Sequence, residues 1–474
     1  MGLHRFAIMS LCGAALSLGA GGCAFQEHRE QLAQLHASGQ DAAALNLLQS
    51  PQTQKLYGPQ DQVLFFLDRG ALLLESGRPS DAFVDLDKAE SIMDYGGRRN
   101  AGDDLAEWLV NDTAAAYAGE PYESIYVNVL KLLAQLTRTD TGADGQVGPQ
   151  GVISGGATVE ARRAAAKADF LRQRFAASQA KVTEEAKNRG ATQAPEPPPT
   201  AAAPASTAGQ FIESPLGTYL TAVTFMKAGE TSLQDVAGRR LVDSIKSQGG
   251  LIGDVKPAAF ESLGSLHPQD ANVLVVAFSG IGPTKVPQRF GPIPIFTWPV
   301  YFELPVLRIT QSHVASVKAT LTPHEQSEAN PPQVVELNLV ENLSRVAEEN
   351  HKRAMPLIYQ RTLIRAMIRS GISFAATEAL RRQSSRQDSD FVAFGATIVG
   401  LAAITALERA DVRCWVVLPG QAHVALAKLP AGRFDATIEY LDQGGRVVDT
   451  RTVKDLTAED ASSALATSLT FTTR

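Results

Sequence analysis

The stretch LDRGALLLESGRPSDAFVDLDKA, residues 67–89, predicts two short helices that meet at a turn at Gly77. Gly70 and Ala82 are small at the positions where the two helices would cross closely. Bulky side chains there would hold the paired helices apart, so this spacing is typical of a helical-repeat unit. We therefore expect five residues to carry the packing of the unit: Gly70, Gly77, Ala82, Leu86 and Ala89.

Weaker copies of this pattern lie on both sides of it, at residues 32–48, 119–136 and 219–245. Three or more stacked units bury a continuous core that a single unit lacks. The spacings resemble those of tetratricopeptide repeats, and the resemblance implies an N-terminal half built from paired helices. The alternative is a non-repetitive helical bundle in which the spacing arises by chance.

Two segments interrupt the helical half. Residues 139–158 are rich in Gly and predict a loop, and residues 190–209 are rich in Pro and Ala. The second composition buries no core and predicts an extended linker or loop. We therefore expect a helical-repeat domain over 23–189 and further repeat-like helices over 210–265.

Beyond residue 266 the pattern changes to strands, which come in two blocks. The predicted strands are 273–278, 306–310, 314–321 and 334–340, then 413–418, 423–429, 434–440 and 446–453. Asp442-Gln-Gly-Gly445 predicts a hairpin turn between the last two strands. The fold class that follows is a multidomain α+β chain, in which residues 266–474 form a mainly antiparallel β domain.

A helical hairpin at 356–408 is predicted between the two blocks of strands. Its second helix includes 17 residues without a charge, at 391–407. Its first helix carries Arg361, Arg365 and Arg369 on one stripe, because residues four apart share a helix face. One interpretation encloses the uncharged helix within the protein. The other places the arginine stripe and the aromatic residues Phe391 and Phe394 against lipid or a partner's apolar surface.

The N-terminus predicts export. Residues 1–22 read as a signal peptide, with Arg5 near the start, an apolar run and then small residues. Cys23 follows at once, and small residues running into a Cys resemble the lipobox of bacterial lipoproteins. That resemblance implies a lipid on the thiol of Cys23 and attachment to a membrane. The alternative is an ordinary secreted protein that is cleaved near the same place.

Composition limits the other classes of function. The net charge is −6 and the sequence pI is about 5.8, so no general attraction to nucleic acid or anionic lipid is expected. Of the three Cys, Cys12 leaves with the signal and Cys23 would carry lipid. Cys414 remains alone in an apolar string, which predicts no internal disulfide and a buried, inert thiol.

The sequence offers no catalytic motif. His324-Glu325 is not followed by a second His at the spacing of a zinc protease helix. The segment 279–285 lacks the Gly-Lys-Ser/Thr order of a phosphate-binding loop, and Pro283 removes an amide from it. The other His residues are scattered along the chain, so a cluster formed by folding stays open. We therefore predict no catalytic residue, no metal site and no cofactor.

One polar cluster qualifies as a binding site. It comprises Asn111, Asp112, Glu120, Tyr122, Glu123 and Asn128. One interpretation is helix capping, because acidic residues are favourable at a helix N-terminus. The other is a recognition site in the groove of a repeat.

Three segments resemble a group of functionally uncharacterised bacterial lipoproteins with a tetratricopeptide-like N-terminal half. They are residues 68–89, residues 111–123 (Asn111-Asp112 and Tyr117 to Glu123) and residues 410–432 (Ala410 to Pro419 and Leu429 to Gly432). The resemblance implies a lipoprotein that faces the periplasm, on the outer membrane because Ala24 rather than Asp follows Cys23. It implies no reaction.

These observations favour a lipid-anchored, non-catalytic scaffold that binds envelope proteins through its helical repeats. Three alternatives stay open: a regulator of peptidoglycan synthesis, a hydrolase that acts on the envelope, and a lipid-handling protein. The sequence leaves the identity of the partner and the oligomeric state open.

Overall fold

The computed structural model places helices in the N-terminal half of the chain and a strand domain in the C-terminal half. It describes residues 24–99, 116–117, 119–138, 155–188, 213–248, 257–295, 298–325, 330–355, 358–359, 362 and 410–474. The signal peptide, the linker at 190–209 and nearly all of the hairpin predicted at 356–408 lie outside these residues.

The helical half consists of helices of very different lengths. The helices are α1 (24–37), α2 (Asp41–Gln49), α3 (Pro51–Gln54), α4 (Gln62–Glu75), α5 (Pro79–Arg99), α6 (Pro121–Thr137), α7 (Gly155–Asn188), α8 (Pro215–Lys227) and α9 (Thr231–Ser247). Short 3₁₀ turns at 257–270 lead to the strands. Helix α7 begins within the segment predicted as a loop, at 139–158.

Glycines set the turn and the close approach in the first predicted unit. Gly77 has a φ of +69°, a left-handed conformation that favours glycine, in the turn between α4 and α5. At Gly70 on α4, a Cβ atom would lie 2.8 Å from Cγ of Leu86 on α5. The two helices therefore approach closely at the position where the sequence predicts a small residue.

Helix α6 is the centre of the helical half. Its side chains are buried along almost the whole helix, from Tyr122 to Leu136. It packs against α5, α7 and α8, and its far side reaches the last strand of the sheet. One hydrophobic core therefore runs from the helices into one face of the sheet.

The strand domain is a curled sheet of seven strands with a separate two-stranded ribbon. The strands are β1 (Val273–Ile281), β2 (Thr284–Ile295), β3 (Trp298–Arg308), β4 (Ser316–Pro323), β5 (Gln333–Asn342), β6 (Pro419–Ala427), β7 (Gly432–Leu441), β8 (Val447–Ala458) and β9 (Ala466–Thr472). The order in the sheet is β8-β7-β4-β5-β6-β1-β9, and β2 pairs with β3. Within the sheet β1 and β9 are parallel, and the other neighbouring strands are antiparallel.

Both faces of β1 are buried. Leu274, Val276 and Phe278 belong to the core shared with the helices, whereas Val273 and Val275 belong to a second core inside the curled sheet. The curl brings the two edges of the sheet together, because the Thr472 hydroxyl on β9 donates to Asp449 on β8 at 2.6 Å.

The predictions for the C-terminal half failed at four places. Strand β2 was not predicted because it contains Pro287, Pro292 and Pro294, which a two-stranded ribbon tolerates on its free edges. The short strand β9 and the helix at 343–355 were also missed. Residues 413–418 were predicted as a strand and are irregular, because their backbone amides donate to side chains of the helical half.

A buried carboxylate joins the sheet to helix α8. Glu341 on β5 accepts hydrogen bonds from the Ser214 hydroxyl at 2.5 Å and the Leu216 amide at 3.0 Å, at the start of α8. Burial raises the pKa of Glu341 to about 7, although these two bonds oppose the shift. The folded state therefore holds a proton here that the unfolded chain releases near pH 4.5.

We predict that this carboxyl makes stability fall as the pH rises from about 4.5 to above 7, because only the folded state then stays protonated. Glu341→Gln cannot titrate, so its unfolding free energy should increase relative to wild type across this range, by up to about 3 kcal/mol. Urea unfolding at several pH values measures the difference. The exposed Glu336→Gln on the same strand is the control, and a pH-independent difference for Glu341→Gln would contradict the prediction.

Candidate functional site

The predicted polar cluster lies at the N-terminus of α6. Gly119, with a φ of +76°, turns the chain into the helix. The Glu120 amide donates to Oε2 of Glu123 at 2.8 Å, which is a helix-capping arrangement. The Tyr117 hydroxyl donates to the same oxygen at 2.5 Å, and Oε1 of Glu123 accepts from the Trp415 amide at 2.6 Å. Glu123 therefore caps its own helix and binds the C-terminal half of the chain.

Asp68 on α4 also connects the helical half to the segment before β6. Its Oδ1 accepts from the amides of Val416 at 3.1 Å and Val417 at 3.3 Å, and its Oδ2 pairs with Arg29 of α1. Arg29 also donates to the carbonyl oxygen of Cys414. Asp68 and Arg29 are buried, so each depends on these partners for the hydrogen bonds that water would supply.

Further ion pairs surround this contact. Arg413 pairs with Asp411 at 2.7 Å and with Asp61, beside the start of α4, at 3.0 Å. Lys285 on β2 pairs with Glu120. We call residues 411–418, together with the helical side chains Arg29, Asp61, Asp68 and Glu123, the carboxylate clasp. It fixes the segment that leads into β6 on the surface of the helices.

The thiol within the clasp is buried, as the sequence predicts. Burial raises the pKa of Cys414 to about 11, so the thiolate that acts as a nucleophile is scarce at neutral pH. Burial also raises the pKa of Glu123 to about 7, although Lys285 opposes the shift. The chemistry of the clasp is therefore hydrogen bonding and charge pairing inside the protein.

Three of the predicted binding residues face the interior. Tyr122, Glu123 and Asn128 are buried, and Glu120 is partly exposed. The side-chain amide of Asn128 donates to Glu90 of α5 at 2.8 Å. Beside it, the buried ammonium of Lys131 lies 2.5 Å from a carboxylate oxygen of Glu90. These side chains join helices to each other, so in this structure they are not presented to a partner.

The remaining predicted site residues cannot be placed. Asn111, Asp112, Arg361, Arg365, Arg369, Phe391 and Phe394 lie outside the described residues, as does the predicted lipidation site Cys23.

An open apolar cavity of about 360 Å³ lies in the helical half, between α6, α7, α8 and α9. Small side chains form its walls: Ala164, Ala165 and Ala168 on α7, and Gly217, Thr218 and Thr221 on α8. At its mouth, Leu233 and Val236 on α9 are 40% and 55% exposed. We call this feature the apolar groove. The sequence indicates its helices but not the space between them, because that space depends on how they pack.

Ion pairs join the helices that flank the apolar groove. Arg162 on α7 pairs with Glu230 before α9 at 2.5 Å. Arg240 on α9 pairs with Asp169 on α7 at 3.1 Å and with Glu213 before α8 at 2.7 Å. The rim therefore carries charges of both signs around an apolar floor.

Folding brings together two groups of residues that could hold a metal ion, among the parts of the chain that the structure describes. One is His36, Asp41 and Glu75, and the other is the exposed group His324, Asp435 and Asp455. The sequence indicated neither, because each group joins residues from separate turns or strands.

No family model matches this chain, and the comparisons with curated proteins and with solved structures found no match. Within the described ranges, no helix combines the length and the apolar composition needed to cross a membrane.

We predict that Asp68→Asn lowers the unfolding free energy by about 3 kcal/mol or more, because it leaves the buried Arg29 without its counter-charge. Chemical denaturation monitored by circular dichroism measures the loss. The matched control is Asp81→Asn, which breaks an exposed pair with Arg78 and should cost less than about 1 kcal/mol. Equal losses in the two variants would contradict a structural role for the clasp.

Proposed function

We propose that this protein is a lipid-anchored, periplasm-facing scaffold on the outer membrane, which binds an envelope protein through its helical half and catalyses no reaction. The apolar groove is the observation that carries the proposal. It leaves Leu233 and Val236 partly exposed at the mouth of a cavity, and exposed apolar surface of this kind favours a binding site.

The shape of the groove supports an amphipathic helix as the occupant. The residues of α7 that line the groove run from Arg162 to Ala168, a distance of about 9 Å along the helix. An amphipathic helix spaces its apolar anchors i, i+3 or i+4 and i+7 over a similar distance of about 10 Å. Small residues along the walls leave room for the bulky side chains of such a helix.

The charged residues on the rim favour a protein segment over a hydrocarbon chain as the occupant of the groove. The rim holds Arg162 and Arg240 together with their acidic partners. A partner helix with charges of both signs beside its apolar face would match this rim. Complementary charges of this kind contribute to specificity and to the rate of association.

A tetratricopeptide-like unit requires a close approach of its two helices, as α4 and α5 have at Gly70, and we propose such a unit here. Helical repeats bind protein segments in the grooves that stacking leaves between them. Under this proposal the clasp provides rigidity, since it holds the strand domain against the repeats.

We predict that a photo-crosslinking amino acid at position 233 captures an envelope protein in intact cells, because Leu233 lies at the mouth of the groove. Val236→Glu in the same chain should reduce the adduct at least about tenfold, since it places a charge in the apolar contact. Immunoblotting and mass spectrometry measure the adduct.

The matched control is Val84→Glu, because Val84 is a helical valine of similar exposure, 51%, that does not line the groove. It should leave the adduct from position 233 unchanged. Capture that is insensitive to Val236→Glu, or equally reduced by both substitutions, would count against the groove as the binding site.

A lipid chain is a second candidate occupant, which the apolar walls favour. It would support the lipid-handling function instead of the scaffold. A fluorescent fatty acid that binds the purified protein, and is lost in Val236→Glu but not in Val84→Glu, would identify this alternative.

The anchor has its own test. We predict that the protein incorporates labelled palmitate in cells, and that Cys23→Ser abolishes both the label and the recovery of the protein with outer membranes. Unlabelled wild-type protein in the soluble fraction would overturn the proposed anchor.

A further inference from the structure

A buried polar cluster lies between the first helices and the strand domain. It comprises His36 at the end of α1, Asp41 at the start of α2 and Glu75 at the end of α4. Nδ1 of His36 lies 2.9 Å from Oδ1 of Asp41 and 3.9 Å from Oε2 of Glu75. The left-handed turn at Gly39 reverses the chain between the first two residues.

Two side chains of the cluster are deeply buried, Asp41 is partly exposed, and the cluster is incompletely paired. The side chains of His36 and Glu75 are 3% and 6% exposed. Among the described residues, Nε2 of His36 and Oε2 of Glu75 have no hydrogen-bond partner. A buried carboxylate oxygen without a donor is costly, so a proton or a cation is expected beside it.

The spacing of the cluster fits a small divalent cation. Zn²⁺ binds imidazole nitrogen and carboxylate oxygen at about 2.0–2.2 Å, so neighbouring ligands in a tetrahedral site are about 3.3 Å apart. The two distances from the His36 nitrogen lie on either side of this value. The ligand atoms of all three residues lie within 4.8 Å of one another, so binding would require only a modest movement of the side chains.

The charges of the cluster and the cavity beside it also fit a divalent cation. The carboxylates of Asp41 and Glu75 together balance a divalent cation, and neutral imidazole adds no charge. A cavity of about 10 Å³ adjoins the cluster and is lined by Phe471, Thr472 and Thr473 near the C-terminus. That volume is about the size of one water molecule, which could complete the coordination as the fourth ligand.

We propose that His36, Asp41 and Glu75 bind one structural Zn²⁺ ion, or a similar nitrogen-preferring divalent cation, at the junction of the helical half and the strand domain. Three protein ligands and a water also occur in catalytic zinc sites, but the adjoining cavity of about 10 Å³ has no room for an organic substrate, so we assign the ion to stabilising the fold. Binding releases to solvent any proton that His36 Nδ1 or Glu75 carries. The site is independent of the apolar groove and of the proposed scaffold function.

The second acidic group provides a comparison within the same chain. His324 lies 2.8 Å from Asp435 on β7, and the site is open to solvent. Asp455 in this group also pairs with Arg433. Exposed groups with a cationic neighbour are weaker candidates, because solvent and the arginine already satisfy the carboxylates.

The experiment measures Zn²⁺ binding to the purified full-length protein by equilibrium dialysis after treatment with a chelator. We expect about one Zn²⁺ per chain, a higher melting temperature with the metal, and weaker retention of Ca²⁺, which prefers oxygen ligands. His36→Ala and Asp41→Asn should each lower the affinity for Zn²⁺ by at least about tenfold. His324→Ala is the matched control and should bind as wild type does.

Circular dichroism checks that each variant is folded. If His36→Ala is unfolded, Asp41→Asn alone decides the outcome, because Asp41 is partly exposed on a helix start. No Zn²⁺ on the wild-type chain, unchanged binding in Asp41→Asn, or loss of binding in His324→Ala would each overturn the proposal. Failure of the crosslinking at position 233 would leave this result unaffected.

Discussion

The structure depends on two buried carboxylates that accept hydrogen bonds from backbone amides in a distant part of the chain. Asp68 and Glu123 lie on different helices, and both bind the segment just before β6. Strand β6 then pairs with both β1 and β5 in the middle of the sheet. A buried charge without its partners is costly, so the helices and the sheet cannot separate here without exposing these groups to water or leaving them unpaired. The two halves are therefore coupled by polar contacts as well as by their shared apolar core.

Local patterns in the sequence predicted the features that depend on residues close together in the chain. The turn at Gly77, the small residue at Gly70 and most strands of the sheet are found where the spacing indicates them. The prediction failed at 413–418, where an apolar string suggested a strand. The backbone amides of this segment donate instead to carboxylates more than 290 positions away, and no local pattern contains that information.

The candidate sites were harder to predict than the fold. The apolar groove is a space between helices that are far apart in the sequence, so only the packing of α7 against α8 and α9 creates it. The His36 cluster likewise joins residues from three helices. Conversely, the acidic residues at 120–123 stood out in the sequence, and Glu123 caps a helix and anchors the clasp. A noticeable polar motif can therefore serve the interior of a protein rather than its surface.

The first described helix bears on how far an anchored body can stand from a bilayer. Helix α1 is described from Ala24, and tertiary contacts hold its first turns: Phe25 packs on Tyr57 and Arg29 enters the clasp. Under the proposed anchor, the lipid on Cys23 would be attached two residues before the first of these contacts, and each residue spans less than about 4 Å. The body would then stay close to the membrane surface, and its reach toward distant layers of the envelope would depend on its own dimensions.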